Sequence, residues 1–202
     1  MKIWPIALAL FAGSVSAGSL ELPLTVQNVL TLIDAVPLPS QLDSAFCSPA
    51  PCTDHAAASQ GLAAIATDNG AIDAPTRNAR LHAISALATY CTMPCDSADP
   101  AHAALVSIIQ NTTAESTGFD AVVLRAAIEA LGPQRVQTDL PLLVNQLQNP
   151  SRDIRAAVAH SLRDLCNTNA IAPLRQQQQN ETSDQVKQAI TEALRVLGQA
   201  PC

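Results

Sequence analysis

The sequence predicts an all-α fold, a solenoid of about four stacked helical hairpins preceded by a capping helix. Two stretches, Ile154-Arg-Ala-Ala-Val-Ala-His-Ser-Leu162 and Val186-Lys-Gln-Ala-Ile-Thr-Glu-Ala-Leu194, superimpose without gaps. Each begins with a β-branched and then a basic residue, carries Ala three places on (Ala157, Ala189) and ends on Leu. The spacing between Ile154 and Val186 falls within the periods that mark a stack of repeated supersecondary units. Two earlier copies, Val123 to Leu131 and Ala79 to Leu87, extend the array toward the N-terminus. No stretch alternates apolar and polar residues over strand length between turn signals, so strands are not expected.

Residues 1–17 read as an export signal. Lys2 supplies the positive start, Ile6 to Phe11 the apolar core, and Val15-Ser16-Ala17 a small-residue cleavage site before Gly18. The apolar run is too short to span a membrane, and no later window is long enough. No Cys follows the cleavage site, so a lipid anchor is not expected. The expectation is a periplasmic or secreted protein with no membrane insertion after cleavage. Removing residues 1–17 takes the net charge from −6 to −7 and leaves Phe46, Tyr90 and Phe119 as the aromatics. An acidic surface repels phosphate backbones, and base stacking needs aromatic platforms. Nucleic acid is therefore excluded as a partner.

The elements follow in order. Residues 18–53 form an N-terminal segment, in which Val26, Val29, Leu30 and Ile33 mark one face of a helix over 22–36. That helix would shield the open side of the first repeat. The loop behind it carries Cys47 and Cys52. The repeat domain occupies 54–202. Its first hairpin pairs a helix from Asp54 to Thr67 with one from Pro75 to Tyr90, and its second pairs Ala101–Gln110 with Asp120–Leu131. Asp99-Pro100 offers a cap and a first-turn proline, and Gly132-Pro133 ends the second hairpin. The third hairpin pairs Asp139–Gln148 with Ser151–Leu165, and the fourth Ala170–Gln179 with Ser183–Leu197. Ser151 and Ser183 are the expected caps of the second helices. The copies start at Ala79, Val123, Ile154 and Val186. The first interval is clearly longer than the other two, so the insertions fall in the first half.

Val123-Leu-Arg-Ala-Ala-Ile-Glu-Ala-Leu131-Gly132 resembles the second helix of HEAT repeats, in the short form found in bilin lyases. The resemblance covers Asp54 to Gly198 and is stronger in the second half. It implies a scaffold or adaptor that binds a protein partner along the face lined by the second helices, with no catalytic activity of its own. Small residues at Ala86, Ala130, Ser161 and Ala193 would let neighbouring helices approach, while Leu87, Leu131, Leu162 and Leu194 fill the core. Helical spacing sets Arg125, Glu129, His160, Arg163, Gln188, Glu192 and Arg195 away from the buried stripe, as a candidate binding ridge. The plainer alternative is a solvated face held by pairs such as Glu192–Arg195. Arg155 and Lys187 have a different role open to them, bonding to neighbouring hairpin turns.

Other function classes find less support. HEAT-like metal hydroxylases use paired His-Glu motifs, and this chain has no His-Glu dipeptide. No catalytic residue and no cofactor are assigned. An accessory protein handling a small ligand, lyase-like in its repeats, is one alternative. A copper carrier is another, with Cys91, Met93 and Cys95 as soft ligands beside His82 or His102. Asn111-Thr-Thr113 and Asn180-Glu-Thr182 fit glycosylation acceptors, a short pattern that carries little weight.

Six cysteines remain after the signal, an even number that suggests disulfides in an exported chain. In antiparallel hairpins the start of one helix lies beside the end of the next. Cys47 and Cys52 should therefore meet Cys91 and Cys95, and cross-pairs between these loops are expected rather than local bonds. Cys166 and Cys202 follow the second helices of repeats three and four and are expected to pair, for roughly 3–4 kcal/mol in the chain-entropy model.

Overall fold

In a computed structural model of the 202-residue chain, residues 55–70, 74–91 and 95–199 are described. The stretches expected to form the export signal, the capping helix and the Cys47–Cys52 loop, with Asp54 and Cys202, lie outside them. The described residues form eight α-helices and no strand. Hairpin one is α1 (His55–Thr67) and α2 (Ala74–Tyr90), and hairpin two is α3 (Pro100–Asn111) and α4 (Gly118–Leu131). Hairpin three is α5 (Leu140–Gln146) and α6 (Arg152–Leu165), and hairpin four is α7 (Ile171–Asn180) and α8 (Asp184–Leu197). This is the α-solenoid expected from the period.

The helices form because their apolar residues recur on one face, and they stack because no single hairpin can cover that face. One apolar cluster runs through all four hairpins. Leu87, Leu131 and Leu162, at the same register in successive second helices, are fully buried. The fourth copy departs from this pattern. Leu194 is only half-buried, because no further hairpin among the described residues packs over α8. The second helices make a continuous layer in which α2 meets α4, α4 meets α6, and α6 meets α8 most extensively of all. The first helices of hairpins two, three and four scarcely touch one another.

Small residues set how near the second helices come. Ala127, Ala130, Ala157, Ser161, Ala189 and Ala193 are all buried in this layer. Gly132 marks the tightest point. It ends α4 as expected, and its φ of −54° is ordinary helical geometry. The physical reason for glycine is proximity. A Cβ there would lie 2.5 Å from the Ser161 carbonyl oxygen and 2.7 Å from its Cα. The left-handed turn falls at Arg135 (φ 56°), which closes a short 3-10 segment, Gly132–Gln134.

Helix ends confirm one expectation and revise another. Asp99 caps α3, accepting from the Ala101 amide at 2.8 Å, with Pro100 in the first turn. Ser151 and Ser183 stand at the cap positions of α6 and α8, but their hydroxyls make no cap bond. The side chains of Asn149 and Glu181, two places earlier, accept from the Ser151 and Ser183 amides themselves at 3.0 and 2.9 Å, which orders the turn ahead of each helix. Helix α5 is also shorter than expected. Its end tightens into successive i→i−3 bonds from Leu147, Gln148 and Asn149, a common way to satisfy terminal carbonyls.

The expected cross-pairs to Cys47 and Cys52 do not form at Cys91 and Cys95, which bond to each other with a Cα–Cα distance of 5.2 Å. Helix α2 stops at Tyr90, and these two cysteines, close in sequence, lie within disulfide range of each other. A partner so near in sequence needs little loop closure, so it prevails over one contributed by a separate loop. The same bond uses the thiolates that a copper site would require. Cys166 is also disulfide-bonded.

Two outcomes test this architecture. Gly132→Ala forces a backbone clash with Ser161 and is expected to lower unfolding free energy by about 1–3 kcal/mol in urea titration. Non-reducing peptide mapping should recover Cys91 linked to Cys95 within one short peptide.

Candidate functional site

The predicted ridge residues fall on the outward side of the second helices. Arg125, Glu129, Gln188 and Arg195 are exposed or nearly so, and His160, Arg163 and Glu192 are at least partly open to solvent. The structure joins them in two groups. On α4, Arg125 donates to Glu129 at 2.8 Å. On α6 and α8, Arg195 holds Glu192 through two hydrogen bonds of 2.7 and 2.9 Å. That pairing depresses the Glu192 carboxyl below its ordinary value, and Arg163 and His160 on α6 act on it in the same direction. Arg163 itself chelates the adjacent Asp164 at 2.8 and 3.2 Å. His160, Arg163, Glu192 and Arg195 thus form one charged patch across two repeats, and Arg125 with Glu129 forms a separate pair. Gln188 joins neither.

The hairpin turns hold a second polar assembly, built on the basic residue at the second position of the repeat. Arg155 donates through Nη1 to the carbonyls of Asn149 and Pro150, in its own turn, at 2.8 and 3.0 Å. Through Nε and Nη2 it grips the Glu181 carboxylate of the next turn at 2.8 and 2.7 Å. Glu181, whose side chain is 1% exposed, also accepts from Gln177 at 3.0 Å and from the Thr182 and Ser183 amides. The bond from Arg155, helped by those donors, depresses its carboxyl to about 2. Arg80, at the equivalent position of the first repeat, donates to the Ala66 carbonyl at 2.9 Å and Asn69 at 3.0 Å. Burial pushes its pKa down, opposed by Asp120 and Asp68. Leu124 breaks the series in the second repeat. Lys187, also expected at a turn, is exposed. A shallow depression of about 220 Å³ beside Arg155 and Glu181 is lined by these same groups, already bonded to one another.

A third assembly is buried, and sequence reasoning did not assign it. His102 on α3 is 3% exposed; its Nδ1 lies 3.0 Å from Gln134 Oε1 and its Nε2 3.4 Å from Asp139 Oδ1. Gln134 in turn donates to the Leu87 carbonyl at 2.9 Å. Only the repeat register could have pointed here, since Gln134 and Asp139 lie in the connector after α4. No group of three or more His, Cys, Asp or Glu suited to a metal ion occurs among the described residues.

Residues 112–195 match the family model for HEAT repeats. The matched segment opens at the end of α3 and runs through α4 to the last turn of α8. It includes every predicted ridge residue. Comparisons with curated proteins and with solved structures each gave no match. The matched segment is also where the period is nearest constant, with copies starting at Val123, Ile154 and Val186. Hairpin one and the Cys91–Cys95 connector precede it.

The turn assembly predicts an acid response. Glu181 titrates near 2 when folded against an ordinary value of 4.5. A depressed carboxylate contributes stability that is complete above 4.5 and lost as pH falls toward 2, about 3 kcal/mol for this shift. Unfolding free energy measured across that window should fall less steeply in Glu181→Gln than in the unsubstituted chain.

Proposed function

We propose that this protein is an exported scaffold or adaptor, periplasmic or secreted, that binds a protein partner on the face lined by its second helices and performs no chemistry itself. HEAT-like arrays bind proteins along extended inner surfaces, and the matched segment carries the whole predicted ridge. The short period resembles the bilin-lyase form of the repeat. Residues 1–17, with positive start, apolar core and small-residue cleavage site, support export. No helix among the described residues is long and apolar enough to cross a membrane.

The observation that carries the reading is the difference between the two helix layers. Second helices pack side by side while the first helices of hairpins two to four scarcely meet. An array whose one layer is more closely spaced curves toward that layer, so α4, α6 and α8 face inward. The charged patch of His160, Arg163, Glu192 and Arg195 then lies on the inner surface, open to solvent, where a partner's side chains would meet it. Because its charges are paired within the chain, a partner gains specificity and orientation from the patch more than raw affinity.

Affinity capture from the exported fraction with the full-length chain, after crosslinking, should return one partner in stoichiometric amount. The double variant Arg163→Glu and Arg195→Glu should lose it, while unfolding free energy stays within about 0.5 kcal/mol, as for surface substitutions generally. Capture unaffected by the double variant, or a chromophore bound in place of a protein, would remove the ridge from consideration.

A further inference from the structure

The buried assembly around His102 constrains its own protonation. Gln134 Nε2 donates to the Leu87 carbonyl, so the amide cannot turn over without setting two oxygens against each other. Its Oε1 therefore faces His102 Nδ1 as an acceptor, and Nδ1 must carry a hydrogen. In a neutral ring, Nε2 would then present a bare lone pair to the Asp139 carboxylate 3.4 Å away. Both side chains are almost fully enclosed, 4% and 6% exposed, so water cannot screen that repulsion. Asp139 Oδ2 has no hydrogen-bond partner among the described residues, which leaves His102 as the counter-charge of this carboxylate. The contact therefore needs one proton between Nε2 and Oδ1, and the imidazole, the stronger base of the two, holds it.

We propose that His102 and Asp139 form a proton-operated joint, an imidazolium–carboxylate pair oriented by Gln134, that fastens the first three hairpins together and loosens when the proton leaves. Its parts come from each of them: Leu87 lies in α2, His102 sits in the first turn of α3, Gln134 follows α4, and Asp139 stands at the start of α5. The charged groups acting on the ring are Asp139 and Asp99. From the described side chains of helix α1, the Ser59 hydroxyl donates to Asp99 at 3.1 Å, and Arg80 on α2 acts on Asp68 and Asp120 instead. Burial lowers the affinity of His102 for its proton, but the hydrogen bonds and charges of Asp139, Gln134 and Asp99 outweigh it, and the net direction is upward. A raised imidazole value means the stabilisation is complete below the ordinary value of 6.5 and is lost as pH rises through the folded value. The joint is thus closed in acid and loosens as pH rises past the ordinary imidazole value.

The test uses the full-length oxidised protein. Nitrogen NMR of the assigned His102 ring should show both nitrogens protonated at neutral pH, with a titration midpoint above 6.5. The urea midpoint of the unsubstituted chain should fall between about pH 6 and about pH 9, as linkage requires. Asp139→Asn should flatten that slope, because an amide N–H can donate to a neutral Nε2. An unprotonated Nε2 at neutral pH would overturn the proposal without recourse to any variant, and so would an undiminished slope in Asp139→Asn.

Discussion

The close approach of second helices is the constraint on which the rest of this structure depends. Where α4 ends, the backbone of Gly132 meets that of Ser161 so closely that no side chain fits between them. Contact at that distance permits dispersion and apolar burial to be continuous from one hairpin to the next. Leu87, Leu131 and Leu162 can then share one core, although each belongs to a different repeat. With larger residues at Ala130, Gly132 and Ser161 the hairpins would stand apart, each with an apolar face it could not cover alone.

Polar groups complete what packing begins, and they do so where hairpins meet. Arg155 spans two turns and satisfies the Asn149 and Pro150 carbonyls that follow α5, while Glu181 accepts from the Thr182 and Ser183 amides ahead of α8. The pair is enclosed, and all of its stronger acceptors and donors are used. Full satisfaction is what makes such a buried ion pair tolerable, since charges removed from water carry a desolvation cost that imperfect geometry does not repay. The His102 assembly differs. One Asp139 oxygen lacks a partner among the described residues, so this joint depends on a proton where the Arg155 joint does not. The array therefore has one seam insensitive to alkali and one that responds to it.

The polar surface of the second helices follows from the same geometry. Rows at fixed register along second helices place Glu129, His160 and Glu192 at corresponding points of successive repeats. Close spacing between α6 and α8 lets Arg163 and His160 act on Glu192 across the gap. No such coupling links Arg125 and Glu129 to that patch. The candidate binding surface is centred on hairpins three and four, and its breadth is set by helix spacing rather than by any single residue.

The sequence alone determined the helices, their pairing into hairpins and the order of the stack, because each rests on periodicity along one chain. A near-constant repeat period, an apolar stripe and turn residues such as Asp99-Pro100 are local signals, and the helices formed where those signals lay. Register also located Arg155 as a turn-binding residue. Tertiary structure decided everything that depends on which atoms arrive at a given point. Glycine at 132 is required by the backbone of Ser161 in the next hairpin, not by its own dihedrals. The serines at the cap positions make no cap bond, and Asn149 and Glu181 instead accept from the serines' own amides, in the turn ahead of each helix. Cys91 took Cys95 because their Cα atoms lie 5.2 Å apart once α2 has ended, a distance that no spacing argument contains. His102, Gln134 and Asp139 are scattered singly in the sequence. Only the stacking of three hairpins enclosed them together, and that enclosure turns an ordinary histidine into a group that must hold its proton.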